Sequence, residues 1–375
     1  MIKQVIKKDG HKEIFDIQKI FNAVGKSASR IGRELTEDMK DKISKEVLSC
    51  LNREIVTVDR VHQIVEISLG RVDKDIYNSY TGYRNYKKEM AEKMDNIYSE
   101  VVKSLSTRDR SNSNMNSALY SAKRTNVSKI LLSNMYVDFF LTKDERQAFS
   151  DGFIYPHDRD NRPINTTNCC VVHMEDIMNG GFTTNGYFCK EPKNISNAVG
   201  VIGDIIISCA SAQYGGYTVL DIDITLAKYC ERTFDRYIAD MLTSTRLSTT
   251  TIAEIAKKRV LEELDDALQG LEFQLNTRES SRGDFPFTTF SFGRGTTFWE
   301  KEVSKTILRV RREGHGDKVK QTAIFPKLVF IVREDMESVN KDIFEDAILT
   351  SSKCMYPDYI PESMASPMGK QLLPI

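Results

Sequence analysis

The stretch SLSTRDRSNSNMNS, residues 104–117, divides this chain. It is rich in Ser and Asn and has no apolar periodicity, so it offers nothing to a core. Patterned sequence lies on both sides of it. The chain therefore reads as two folding pieces joined by a linker or long loop. Plain disorder is the alternative for the segment itself. A length of 375 residues leaves room for two domains. The expected boundaries are 1–95, a linker over 96–116, and 117–375.

The first piece opens on IKQVIKKDGHKEIFD. Two short strands are expected around Asp9-Gly10, a strong hairpin signal. Asp16 then caps a helix with Ile17, Ile20, Phe21, Val24 and Ala28 on one face. Thr36, followed by Glu37 and Asp38, opens a second helix with Met39, Ile43, Val47 and Leu51 inward. Thr57 or Asp59 opens a third, with Val61, Ile64, Val65 and Leu69 inward, and a fourth runs from about Asp75 through YNSYTGYRNYKKE. The expectation is a compact α+β module of a hairpin and four helices.

Beyond residue 117 the pattern changes. Helical stretches at 117–134, 196–213 and 252–270 alternate with short apolar runs at 167–172, 285–292 and 322–332. Gly and Pro bound those runs. This alternation predicts an α/β sheet or barrel, with a strand order that the sequence does not reveal.

Several function classes are disfavoured. Lys+Arg and Asp+Glu both number 53, giving a formal net charge of zero. A general nucleic-acid or acidic-membrane binder needs a basic excess on some face. MIKQVIKKDG has charges but no apolar core of a signal peptide. GVIGDIIISCASA (200–212) is short for a membrane span and carries Asp204. The seven cysteines (Cys50, Cys169, Cys170, Cys189, Cys209, Cys230 and Cys354) are odd in number and contain no CxxC. Neither a disulfide framework nor a zinc or other metal site is expected from them, and the expected setting is a reducing cytoplasm.

Four places could carry chemistry. Lys7 and Lys8 flank the turn and Lys19 sits on the first turn of the next helix, so three cations gather at a helix N-terminus and suit a polyphosphate. On spacing alone, a solvated basic hairpin edge is the favoured reading. Cys169 and Cys170 are neighbours at the head of an apolar run; on a strand one faces a site while the other packs in the core. Two core cysteines are the plainer alternative. YPHDRDNR (155–162) places His157 beside Asp158 and Asp160, as an acid/base or metal loop or as a polar turn. SFGRGTTFWE (291–300) leads a Gly-rich turn into a helix, either to cradle a phosphate or because the turn needs positive φ.

Taken in order, these segments carry a resemblance. VIKKDG with the following FD and KI resembles the start of an ATP-cone, the regulatory nucleotide-binding module of ribonucleotide reductases. SNSNMNSALYSAKR, GFIYPHDRDNRPINTTNCC, EPKNISNAVGVIGDIIISCASAQYGGYTV, SSRGDFPFTTFSFG, RREGHG, IFPKLVF, MYPD and SPMG follow. Together they resemble the N-terminal half of the anaerobic, glycyl-radical (class III) ribonucleoside-triphosphate reductases, over residues 1 to about 369.

The resemblance implies a ten-stranded α/β barrel, of which residues 117–375 are the N-terminal part. It implies reduction of ribonucleoside triphosphates to deoxyribonucleoside triphosphates for DNA synthesis. A glycyl radical near the C-terminus is made by a radical S-adenosylmethionine activase, and a four-cysteine zinc site lies in the same region. The radical passes to a cysteine that takes the 3′ hydrogen of the ribose; the 2′ hydroxyl leaves as water, and formate or a thiol carrier is the reductant. By motif match Cys169, after Asn168, is the second cysteine, on the opposite face of the sugar, and Cys170 faces the barrel exterior. Val5 and Ile6 would contact adenine; Lys7, Lys8 and Lys19 the phosphates; Glu13, Asp16, His62 and Thr57 lie nearby. ATP would activate and dATP inhibit. A homodimer is implied, with helix 196–213 as its candidate interface.

One position departs from the pattern. The family's thiyl cysteine directly follows SPMG, and this chain has Lys370 there. Lysine cannot carry a thiyl radical. The expectation is a fragment cut at that loop and inactive alone, with KQLLPI as read-through of an interrupted gene or an engineered end. The alternatives are a nucleotide-binding regulatory module without turnover, or one half of a split enzyme completed in trans by a second polypeptide.

Overall fold

A computed structural model describes residues 2–106 and 115–365. Lys370, the SPMG segment from Ser366 onward and residues 107–114 of the polar segment lie outside the described residues. The chain divides into two compact units, residues 1–100 and 101–375.

The first unit contains β1 (Gln4–Ile6), β2 (Lys12–Ile14), α1 (Ile17–Arg30), α2 (Glu37–Cys50), β3 (Ile55–Thr57), α3 (Val58–Val72) and, as far as Glu100, α4 (Lys74–Ser106). The hairpin forms as expected. Gly10 sits at φ 86°, and Lys7 N–H donates to His11 O at 2.9 Å to close the turn. A third strand was not expected: β3 pairs parallel with β1, with Val5 opposite Val56, so the sheet order is β2-β1-β3. The module is thus a three-stranded sheet with four helices.

The helix starts follow the capping residues. The Asp16 carboxylate accepts from Gln18 N–H at 2.9 Å, the Thr36 hydroxyl from Met39 N–H at 3.4 Å, and the Thr57 hydroxyl from Arg60 N–H at 3.3 Å. Val24, Ala28, Ile43, Val47, Ile64, Val65, Leu69 and Ile76 are fully or almost fully buried in one apolar cluster. Each of the Val, Ile and Leu side chains contributes roughly 1.5–3 kcal/mol by leaving water. The fourth helix continues to Ser106, so the first part of the segment read as linker, 96–106, is helical.

The second unit begins with α5 (Tyr120–Phe139) and α6 (Lys143–Ser150), then β4 (Cys170–Val172), α7 (Met174–Met178) and the hairpin β5 (Phe182–Thr184) and β6 (Tyr187–Cys189). It continues with α8 (Ile195–Ala212), β7 (Tyr217–Val219), α9 (Ile222–Ser244), α10 (Thr249–Thr277), β8 (Thr288–Phe292) and α11 (Phe298–Glu313). The remaining elements are β9 (Lys327–Val332), α12 (Met336–Val339), α13 (Lys341–Cys354), β10 (Asp358–Pro361) and α14 (Glu362–Ala365).

Five strands form one sheet in the order β10-β9-β8-β7-β4, every pair parallel. Each strand lies beside its successor in this series. Crossovers of one hand then place all connecting helices on one face of the sheet. The side chains obey that geometry. Cys170, Val172, Tyr217, Val219, Phe290, Phe292, Leu328 and Phe330 pack into the large cluster with α8, α9, α10, α11 and α13. The alternate residues Val171, Leu220, Val329, Ile331 and Ile360 form a separate cluster on the other face. Phe292 and Phe330 meet edge to face with centroids 5.6 Å apart. Among the described residues the sheet is open, with β4 and β10 at its edges.

Helix α8 is long and apolar enough to cross a membrane by length and composition. Its apolar residues Ile195, Ala198, Ile202 and Ile206 lie instead in the core, packed with α9 and α10.

Candidate functional site

Two places gather the residues singled out above, one in each unit. In the first, β1, the N-terminal half of α1 and α3 surround a cavity of about 190 Å³. Strand β1 sends alternate residues to opposite sides. Val5 and Lys7 accordingly line the cavity, together with Glu13, Asp16, Lys19 and His62. Ile6 and Thr57 line a different pocket, of about 460 Å³, with Arg53 and Arg60. Lys8 is exposed and lines neither, though its charge reaches His62. Asp16 and Thr57 spend their side chains as helix caps. The sequence therefore grouped Ile6, Lys8 and Thr57 with a pocket that none of them lines.

The cavity has two chemical ends. Ile20, Ala23, Val58, Val61 and Val65 supply an apolar wall. At the mouth, Lys7 Nζ lies 2.8 Å from Glu13 Oε2, and Lys19 pairs with the other oxygen of the same carboxylate. These hydrogen bonds, from Lys19 first and then Lys7, hold the Glu13 carboxyl down at about 2. One carboxylate thus stands between two ammonium groups where a polyphosphate could take its place. A cavity of this volume is below the usual 300–1,000 Å³ of small-molecule sites. It suits part of a nucleotide, with the rest extending past the lysines.

Tyr80 closes the far side, and the sequence did not single it out. His62 Nδ1 lies 2.6 Å from the Tyr80 hydroxyl. Burial, followed by the charge of Arg84, lowers the His62 pKa, so the ring is neutral at neutral pH. Burial raises the Tyr80 phenol to about 12. With the phenol donating to Nδ1, the imidazole keeps its proton on Nε2. The signal available in the sequence was the tyrosine-rich fourth helix, whose periodicity puts Ile76 and Tyr80 on the buried face.

In the second unit the pair Cys169-Cys170 splits as expected for an extended chain. Cys170 packs against the helix-side core, and burial raises its thiol pKa. Cys169, just before β4, is exposed, and its thiol donates to Asn168 Oδ1 at 3.1 Å. Cys209 on α8 is the third thiol of this neighbourhood; burial, then the Cys170 sulfur, pushes it up.

The other two candidate loops resolve into structure. His157 pairs with Asp158, its neighbour, and Asp158 itself has φ 50°. Asn161 N–H donates to Asp158 O at 3.0 Å, so YPHDRDNR forms a polar turn. Among the described residues no three His, Cys, Asp or Glu side chains converge on a metal-sized site. In the Gly-rich turn, the amides that could cradle a phosphate are taken. Gly293 and Gly295 N–H donate to Asp223 Oδ2 at 2.9 and 3.3 Å, and Thr296 and Thr297 N–H donate to Glu300 at 2.7 and 2.8 Å. Gly293 has φ 105°, so the turn reading holds. Burial raises the Asp223 carboxyl to about 6.

Comparison with known proteins agrees with this division. The family model "Anaerobic ribonucleoside-triphosphate reductase" matches residues 111–372, and the ATP cone domain model matches residues 3–89. Anaerobic ribonucleoside-triphosphate reductases of Haemophilus influenzae and Salmonella typhimurium are 29% and 30% identical over 95% and 96% of this chain. That of Enterobacteria phage T4 is 35% identical over 62% of it. The chain spans about half the length of the first two, 52% and 51%. A crystal structure of the anaerobic ribonucleotide reductase from Thermotoga maritima, with dATP in its specificity site, superposes with a TM-score of 0.51. That likeness holds at 11% identity, over 76% of this chain and 51% of the other, and concerns the fold alone. The family match over most of the chain decides the matter: this chain, with an ATP cone at its N-terminus, belongs to the anaerobic ribonucleoside-triphosphate reductase family.

Proposed function

We propose that the chain serves the anaerobic reduction of ribonucleoside triphosphates to deoxyribonucleoside triphosphates, in the cytoplasm, with its first unit as an ATP- and dATP-binding regulatory module. The carrying observation is the apolar cavity whose mouth brings Lys7 and Lys19 onto one carboxylate. Val5 and the aliphatic wall would hold the base. Lys7 and Lys19 would exchange Glu13 for phosphate oxygens, because two fixed ammonium groups bind a multiply charged anion better than a single carboxylate. The Nε2 side of His62 would face the ribose or phosphates. Asp16 would fix the α1 N-terminus beside them, and Lys8 would add charge from the rim.

In the second unit the reading assigns Cys169 as the thiol on one face of the ribose, held by Asn168. The sheet would be one half of a ten-stranded barrel, with its helix-free face lining the interior. The hydrogen-abstracting group would act on the opposite face of the sugar, with the glycyl radical, its activase, the zinc site and the reductant supplied beyond the residues described. The exposed side of α8 is the proposed homodimer contact.

Calorimetric titration of ATP and dATP tests the regulatory reading. Saturable binding weakened about tenfold or more in Lys7→Ala/Lys19→Ala is expected, a floor set by the loss of one of the two charge-assisted contacts. No binding, or binding indifferent to both lysines, overturns it. In any preparation that forms deoxyribonucleotides anaerobically, Cys169→Ser abolishes turnover; full activity in that variant overturns the assignment of Cys169.

A further inference from the structure

We propose that Gly215 is a positioning residue whose bare Cα makes the seat in which the Cys169 thiol and the Asn168 amide are held together. The argument begins with register. Thr167 bridges Gln213, and three residues later Cys170 pairs with Tyr217, four residues after Gln213. One strand therefore carries one extra residue against its partner, a bulge between Gln213 and Tyr217. Backbone bonds fix that bulge on both sides. Tyr214 N–H donates to Thr167 O at 3.1 Å, Gly215 N–H to Asn168 O at 2.9 Å, and Cys170 N–H to Gly216 O at 3.3 Å.

Gly215 lies at the bulge directly against Asn168-Cys169. A Cβ at Gly215 would come within 3.0 Å of three atoms: Asn168 Oδ1, Cys169 Sγ and the Asn168 carbonyl oxygen. Real Cβ atoms essentially never approach so closely. The backbone of Gly215 is not in the left-handed region, so conformational freedom is not what the position requires. What it requires is the absence of a side chain, as expected where another backbone approaches a strand closely. Because three backbone hydrogen bonds hold the register, the strands cannot slide to relieve the clash. Both the Asn168 amide and the Cys169 sulfur must move away from the new methyl group, which breaks the 3.1 Å bond between them.

This rests on the reading of Cys169 as the substrate-facing thiol for its functional meaning. Its test reads the seat and not turnover, so failure of the seat leaves nucleotide binding and turnover to be judged on their own. Alkylation of the intact protein by iodoacetamide is followed cysteine by cysteine by mass spectrometry. Exposed Cys50 of the first unit serves as the internal rate standard, and buried Cys230 reports whether the fold is intact. A thiol that donates its proton to an amide oxygen must give up that bond before it attacks. In Gly215→Ala the Cys169 rate relative to Cys50 is expected to rise about fivefold, the factor carried by one neutral hydrogen bond. Asn168→Ala, which keeps the glycine, is expected to raise it similarly.

The melting temperature lost in Gly215→Ala is expected to recover by at least half in Gly215→Ala/Asn168→Ala, because trimming the amide removes one of the two side-chain clashes. If Gly215→Ala alone exposes Cys230, recovery of Cys230 protection in the double variant is the supporting result. Unchanged Cys169 reactivity in a folded Gly215→Ala, or no recovery in the double variant, overturns the proposal.

Discussion

The Nδ1 of His62 on α3 lies 2.6 Å from the hydroxyl of Tyr80 on α4. One side chain lines the candidate nucleotide cavity, and its partner is 7% exposed and anchored in the core. Tyr80→Phe removes the hydroxyl and leaves the ring. It is expected to lower the stability of the first unit by about 1 kcal/mol. The urea midpoint of the transition that exposes α3 and α4 measures this.

The same histidine makes a pH prediction. Its folded-state pKa lies below the ordinary 6.5, so the unfolded chain takes up its proton first as pH falls. Stability of the first unit therefore declines as pH drops below about 6.5, through that site. His62→Gln removes this component, and the difference between the two pH profiles isolates it.

Asp223 carries the opposite sign. Burial raises its carboxyl from 3.8 to about 6, with the Asp221 carboxylate adding to the shift and the Gly293 and Gly295 amides opposing it. Arg294 faces the same loop but is paired with Asp221, its Nε 3.0 Å from Asp221 Oδ1. The folded state holds the proton more tightly. The contribution is thus fully present below pH 3.8 and is lost as pH rises through about 6. Wild type minus Asp223→Asn is expected to change by on the order of 3 kcal/mol across that window. A flat difference contradicts the assignment of the buried proton.

Arg311 is fully buried and bonds Glu272 Oε1 at 2.5 Å, while His315 Nε2 meets the other oxygen at 2.9 Å. Removing one member of a buried pair strands the other. Arg311→Met is expected to destabilise the second unit by about 3–5 kcal/mol. Arg311→Met/Glu272→Met, which removes both charges, recovers much of that loss in thermal unfolding.

The first unit was the more legible in sequence because its helices each bury a single stripe. Val24 and Ala28, or Ile64, Val65 and Leu69, repeat at helical spacing behind Asp16 and Thr57 caps, and the Asp9-Gly10 turn marks the hairpin. The strand β3 escaped notice because three residues are too few to show alternation, and Thr57 serves both as its end and as the cap of α3. In the second unit β7 was hidden for the same reason. Its Tyr217, Thr218 and Val219 are all buried, so no polar alternation survives. Helix α9 also went unread, since Leu226, Ala227, Tyr229 and Cys230 bury residues around much of its circumference.

At the sites, residue types were readable and side-chain direction was not. Lys7 and Lys19 meet through Glu13, while Ile6 lines a different pocket and Lys8 sits exposed in the turn. The glycine beneath Cys169 lies 46 residues away in sequence and is visible only through the register that brings the strands together.

The most direct test of the central claim is amide hydrogen exchange of the intact protein with and without saturating ATP. The account predicts new protection in β1, the first turns of α1 and the segment 58–65 of α3, and a shift of the ATP concentration needed for that protection to about tenfold or more higher in Lys7→Ala/Lys19→Ala. Protection confined to other segments, or an ATP requirement unchanged in that variant, contradicts it.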